Sequence, residues 1–212
     1  MVRAGSPQVL PLDAAEVRPP TAEPHPQDGE LTAGKRRIAR RRREPPQRAR
    51  VVIGEALYAP VPFVAPLPQV RLHYVLVANP ASHPTRLAAV AAASEPGVSP
   101  QGQGDEGRGA RRRTYPYRIV RQGALARESP GRVTQVAVWE RPAGGELLYY
   151  TSWITELEVD TENVAVVVTL GRTRWTLEHE PVTVQQHQGS ELTHTYGHGQ
   201  HSLSRVFYLL NL

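Results

Sequence analysis

The 212-residue sequence contains no cysteine. This removes disulfide scaffolds, thiolate zinc sites, iron–sulfur clusters and cysteine nucleophiles from the chemistries open to it, and it fits a reducing, cytoplasmic setting. Aromatic residues make up only 6% of the chain and hydrophobic residues 40%, too little apolar material for a second full core. One domain with a smaller insert is the expected organisation. No run approaches the roughly 18–20 apolar residues that a membrane-spanning helix needs, and the start lacks a basic segment followed by an apolar one, so no membrane partner is expected. Lysine occurs once, against 24 arginines. Arginine supplies forked donors suited to phosphate, and a GC-rich coding sequence produces the same bias without any binding.

What charge there is lies unevenly. Residues 1–50 hold 11 of the 25 basic side chains, and Lys35 to Arg50 carry nine of them against the single acid Glu44. Residues 51–212 carry 14 basic and 14 acidic side chains, so the net charge of +5 resides entirely in the front segment. Prolines are uneven too. Sixteen of the 20 fall in the first 100 residues, where they interrupt most segments before a helix reaches three turns.

The expected layout follows. Residues 1–50 form an irregular, basic front in which Gln8 to Leu12 can make a short strand and Gly34 to Arg43 a short basic helix stopped by Pro45 and Pro46. Residues 51–93 carry a buried strand at Arg50 to Gly54 and a second at His73 to Ala78, ended by Asn79-Pro80. Residues 94–114, rich in Gly, Gln, Ser and Pro, read as a flexible linker or loop. Residues 115–157 alternate as three strands of an antiparallel meander (Tyr117 to Arg121, Val133 to Trp139, Leu147 to Ile154) with a hairpin turn at Pro142 to Gly145. In residues 158–212, Asp160 or Thr161 opens a helix whose face Val164, Val168, Gly171 and Trp175 suits packing on a sheet. The apolar segment Ser202 to Leu212 has no capping signal and reads as the start of another helix.

Several stretches carry a family likeness. Gly171-Arg-Thr-Arg-Trp-Thr-Leu-Glu178, then Glu191-Leu-Thr-His-Thr-Tyr-Gly-His-Gly-Gln200 and Phe207-Tyr-Leu-Leu-Asn-Leu212, resemble the C-terminal part of bacterial insertion-sequence transposases of the DDE type. Upstream, Val51-Val-Ile-Gly-Glu-Ala-Leu-Tyr-Ala59 resembles the strand on which that family carries its second catalytic Asp. Val75 to Pro84, Asn163 to Val168 and Gln27 to Leu31 also read as family segments. The likeness spans about Gln8 to Leu212 and is strongest after Val133.

The resemblance implies an α/β fold, an incomplete RNase H-like mixed sheet with flanking helices, in which the meander is an antiparallel β insertion. It also implies cleavage and strand transfer of double-stranded DNA at transposon ends, in a bacterial, nucleoid-associated setting, and it allows a homodimer. The family's acids hold two Mg2+ (or Mn2+) ions, which activate the attacking oxygen and stabilise the leaving one; hard cations take oxygen ligands. Glu178 matches the family's catalytic Glu in the Arg-Trp-x-Leu-Glu pattern, and Arg174, one turn earlier, is placed to contact phosphate or orient the carboxylate. Glu55 stands where the family has its second Asp, with one extra methylene that an octahedral Mg2+ site accommodates poorly. Glu178 and Glu55 are thus the expected metal ligands and, with Arg174, the catalytic candidates. Lys35, Arg36, Arg37, Arg40, Arg41, Arg42, Arg43 and Arg172 are the candidate DNA contacts.

The departures matter as much. Gln185 or Gln186 replaces a family Lys, and Pro181 interrupts the helix after Glu178. Asp13 and Asp28 precede the Glu55 strand, and neither sits in the motif of the family's first acid. The chain therefore reads as an internal, inactive piece of a transposase, with a non-catalytic DNA-binding remnant or a pseudogene product as alternatives. Other groupings have plainer readings. The basic run can be a solvated helix face. His194, His198 and His201 sit among glycines that favour a turn over a zinc site. Glu178 and Glu180 point to different helix faces. Trp139, Trp153 and Trp175 read as core anchors before stacking platforms.

Overall fold

The computed structural model describes residues 17, 29–41, 51–78, 102–106, 113–124, 132–142 and 149–177. The chain divides into two units: residues 42–171, and residues 1–41 with 172–212. The strands predicted at Gln8 to Leu12, the turn at 143–145, Pro181, the histidine cluster and the segment 202–212 lie outside the described residues.

The larger unit is an α/β arrangement built on a six-stranded mixed sheet of order β1-β2-β6-β5-β4-β3. Its strands are β1 (Val51–Gly54), β2 (His73–Val77), β3 (Gly102–Glu106), β4 (Arg113–Ala124), β5 (Arg132–Pro142) and β6 (Tyr149–Thr155). β1 and β2 run parallel, with Val52 opposite Tyr74 and Gly54 opposite Leu76. Every other neighbour is antiparallel.

The period-two alternation of the sequence sets which side chains face inward. Val77 lies opposite Trp153, Trp153 opposite Val136, and Val136 opposite Ile119, so one face presents a continuous apolar row across four strands. Val75, Tyr115, Tyr117 and Val138 complete that face. The helix that covers it, which follows the short helix Val61–Val64, spans Val164–Leu177. Val164, Val167 and Val168 pack into the same cluster, at the three- and four-residue spacing of one helical stripe. Valine is a modest helix former because its branched Cβ is restricted in a helix. Burial against the sheet, not intrinsic propensity, therefore holds this helix.

The helix begins later than Asp160 or Thr161. Residues 161–163 are a turn, and regular helix starts at Val164. Asp160 supplies the cap: its Oδ1 accepts the backbone N–H groups of Glu162 at 2.8 Å and Asn163 at 3.0 Å, donors that a helix start leaves without intrahelical partners.

Two findings concern the meander. Residues 102–106, expected within the linker 94–114, form β3 and pair with β4, with Gly102 opposite Tyr117 and Gly104 opposite Tyr115. The glycines gave a loop signal, yet here they make room. A Cβ at Gly104 would stand 2.2 Å from Tyr115 Cε2, and one at Gly102 2.5 Å from Tyr117 Oη. The tyrosine rings lie over the glycine strand and supply the cover it cannot supply itself. Second, the meander shares one sheet with the parallel pair. β6 pairs with β2 and Ala78 N–H donates to Ser152 O at 2.8 Å, so the antiparallel strands continue the sheet that β1 and β2 begin.

The smaller unit contains α1 (Glu30–Arg41), which starts four residues before the expected Gly34; the expected end at Arg43 lies outside the described residues. Its first i to i−4 bond runs from Ala33 N–H to Gly29 O at 2.9 Å. Glu30 in the first turn complements the helix dipole. No helix among the described residues is long and apolar enough to cross a membrane.

Candidate functional site

The structure divides the expected site residues between the two units. Glu55 belongs to the sheet unit; Lys35, Arg36, Arg37, Arg40, Arg41, Arg172 and Arg174 belong to the other. Glu178, Arg42 and Arg43 lie outside the described residues, as do the side chains of Arg41 and Trp175.

Glu55 directly follows β1, at the carboxyl end of the parallel pair, where open α/β sheets place their ligands. Its backbone is extended, and its carbonyl accepts Tyr58 N–H at 3.0 Å to start the single turn Ala56–Tyr58. The side chain is exposed and makes no capping hydrogen bond. An exposed strand-end carboxylate can meet a cation, yet one carboxylate is far from the six oxygen positions that Mg2+ fills. Among the described residues no three His, Asp or Glu side chains converge on a metal-sized point.

The basic residues of α1 are better gathered. Lys35, Arg36, Arg37, Arg40 and Arg41 fall within two turns of one helix. Lys35 and Arg40 are exposed, and Arg36 and Arg37 half-buried. At 100° per residue, Arg36, Arg37 and Arg40 fall within about 100° of the helix circumference, and Lys35 stands apart. Such a face suits a row of phosphates. Arg172 and Arg174 sit in the last turns of the long helix, both half-buried. Burial lowers the pKa of Arg172 from the ordinary arginine value, because a low-dielectric setting disfavours its charged form.

Some polar contacts had no visible sign in the sequence. His73 Nδ1 lies 2.9 Å from Glu156 Oε1, and Glu156 Oε2 accepts the Tyr74 backbone N–H at 3.2 Å. The carboxylate continues the β2–β6 ladder by one step where β6 ends. Arg121 Nε donates to Val159 O at 3.0 Å, which ties β4 to the loop that leads into the long helix. Gln135 Nε2 donates to Ser152 Oγ at 3.3 Å inside the sheet. These partners stand 83, 38 and 17 residues apart, beyond any local pattern. Of the tryptophans, Trp153 is a core anchor at 2% exposure. Trp139 is half-buried on the opposite sheet face, 5.5 Å between ring centroids from Tyr150.

No protein-family model and no curated protein matches this chain.

Proposed function

We propose that this chain is a DNA-binding relic of a DDE-type transposase, which holds double-stranded DNA at transposon ends and does not cut it. The observation that carries this reading is α1, where five of the seven residues from Lys35 to Arg41 are cations and none is an acid. Neutralising phosphates with such a face releases counterions, the main source of sequence-independent affinity for DNA.

The finer reading, an incomplete RNase H-like core, draws support from the parallel β1–β2 pair, from Glu55 at the carboxyl end of β1, and from a helix seated on the sheet. The family's reaction uses three acids to hold two Mg2+ or Mn2+ ions. This sequence matches two of those positions, Glu55 and Glu178, and the first has the longer side chain. The added methylene at Glu55 shifts its carboxylate by about one bond length, which an octahedral Mg2+ site accommodates poorly, and so weakens the hold on the ion and the stabilisation of the leaving oxygen. Binding without cleavage is the consequence. In a bacterial cell such a protein would reside with the nucleoid.

The test is a gel-shift series on duplexes that carry the inverted repeats flanking the gene and on unrelated duplexes, paired with a nicking assay in Mg2+ and in Mn2+. Retardation with intact strands is expected. Metal-dependent nicking that disappears in Glu178→Ala would contradict the proposal, and so would failure to retard any duplex at low salt.

A further inference from the structure

The two faces of the sheet differ in character. One is covered by the Val164–Leu177 helix. On the other, Trp139 of β5 stands directly opposite Tyr150 of β6. Ala137 is fully buried, with Val120, Trp139 and Tyr150 packed against it, and all three keep part of their surface open to solvent. The rings of Trp139 and Tyr150 meet at 49°, so neither is stacked on the other. Trp153, on the covered face, is the contrasting case of a ring used for packing alone. The charge of these strands is one-sided. β4, β5 and β6 carry Arg113, Arg118, Arg121, Arg132 and Arg141 against one acid, Glu140. Glu140 is buried, and it alternates with Val136 and Val138 toward the helix-covered face. β3 adds Asp105 and Glu106, which leaves five cations against three acids.

From these features we propose that the open sheet face, with Trp139 and Tyr150 at its centre, is a stacking platform for unpaired bases of single-stranded DNA. Every base has a π face that an indole or phenol ring can receive, and a net basic surface holds the phosphates that connect the bases. Arg118 also has contacts within the protein; the attraction comes from the net charge of the strands. Bases in a duplex are already stacked on one another, so the partner of this face differs from that of α1. The platform lies in the sheet unit, goes beyond the duplex-binding reading and stands or falls by itself. A neutral sugar chain also stacks on aromatic rings but makes no use of the positive charge, and an apolar peptide makes none either.

Anisotropy titrations of the full-length chain test this, with a labelled single strand of about 12 nucleotides, an abasic strand of the same length and a duplex. Trp139→Ala should weaken single-strand binding by about tenfold and leave the abasic strand and the duplex within about twofold of the original. Trp139→Phe keeps a ring and should lose only about twofold to threefold. Single-strand binding should also quench tryptophan emission, and most of that quench should vanish in Trp139→Phe at saturating strand, which reads the contact without relying on the fold of the alanine variant. Unchanged single-strand affinity in Trp139→Ala, an equal loss on the abasic strand, or a quench that persists in Trp139→Phe overturns the platform. Absence of single-strand binding overturns it too and leaves duplex binding by α1 standing. Trp139 emission that responds to maltohexaose and not to the strand overturns it and assigns the rings to sugar. Loss of duplex binding alone, with the single-strand results as expected, removes the reading of α1 and leaves the platform in place.

Discussion

The α-carbon of Gly171 stands so close to the indole of Trp153 that a methyl group at 171 would lie 2.3 Å from Cε2 and 2.6 Å from Nε1. Trp153 is 2% exposed and pairs with both Val77 and Val136, so its ring has no room to step aside. Two effects oppose each other in Gly171→Ala. Alanine improves helix propensity by up to about 1 kcal/mol, and overpacking a filled core costs about 1–3 kcal/mol. Overpacking should win. A thermal melt should fall by about 2–6 °C, and a melt at or above the original would show that the contact is loose.

Asp160 gives a second stability prediction. Its carboxylate satisfies two helix-start donors, Glu162 N–H and Asn163 N–H. Asp160→Ala should cost about 1 kcal/mol, and Asp160→Asn, which keeps an acceptor oxygen, clearly less. Urea titrations that place both variants at the same midpoint would count against the cap.

Tyr115 ties stability to alkaline pH. Its pKa is raised above 10.0, first by burial, then by the nearby charge of Asp105 and by Tyr117. The folded state thus favours the neutral phenol. That contribution is fully present below the unfolded pKa near 10.0 and is lost as pH rises through the higher folded value. Unfolding measured across this window should show a loss of stability that Tyr115→Phe reduces. An identical alkaline slope in the phenylalanine variant would contradict this assignment.

Gly104 probes the same contact from the other strand. Its place opposite Tyr115 leaves 2.2 Å between a would-be Cβ and Cε2. Gly104→Val should push the ring outward and free β3, so that Tyr115 titrates closer to 10.0 and exchange protection is lost at Gly102–Glu106 while the Val133–Val138 amides keep theirs.

These residues also show how far the sequence could be read. Period-two alternation located β4, β5 and β6, and the valine stripe located the long helix, because each pattern is local and the burial it reports is strong. β3 escaped, since Gly-Gln-Gly-Asp-Glu has almost no strand propensity and its cover comes from tyrosines on the neighbouring strand. The pairing of β6 with β2 escaped for a related reason: Leu76 and Ile154 meet across 78 residues, and only the folded sheet brings them together. For the site, α1 was legible from its charge run. Glu55 was legible as the end of a strand, but its relation to Glu178 was not, because spacing along a chain does not fix the distance between a strand end and a helix.

The most direct test of the account is the salt dependence of duplex binding by the full chain, compared with a variant in which Lys35, Arg36, Arg37 and Arg40 are all glutamine. Each phosphate contact removed should flatten the slope of log K against log salt by about 0.9, so a drop in magnitude of about 2–4 is expected. An unchanged slope, with binding intact, would place the DNA contact elsewhere and contradict the role given to α1.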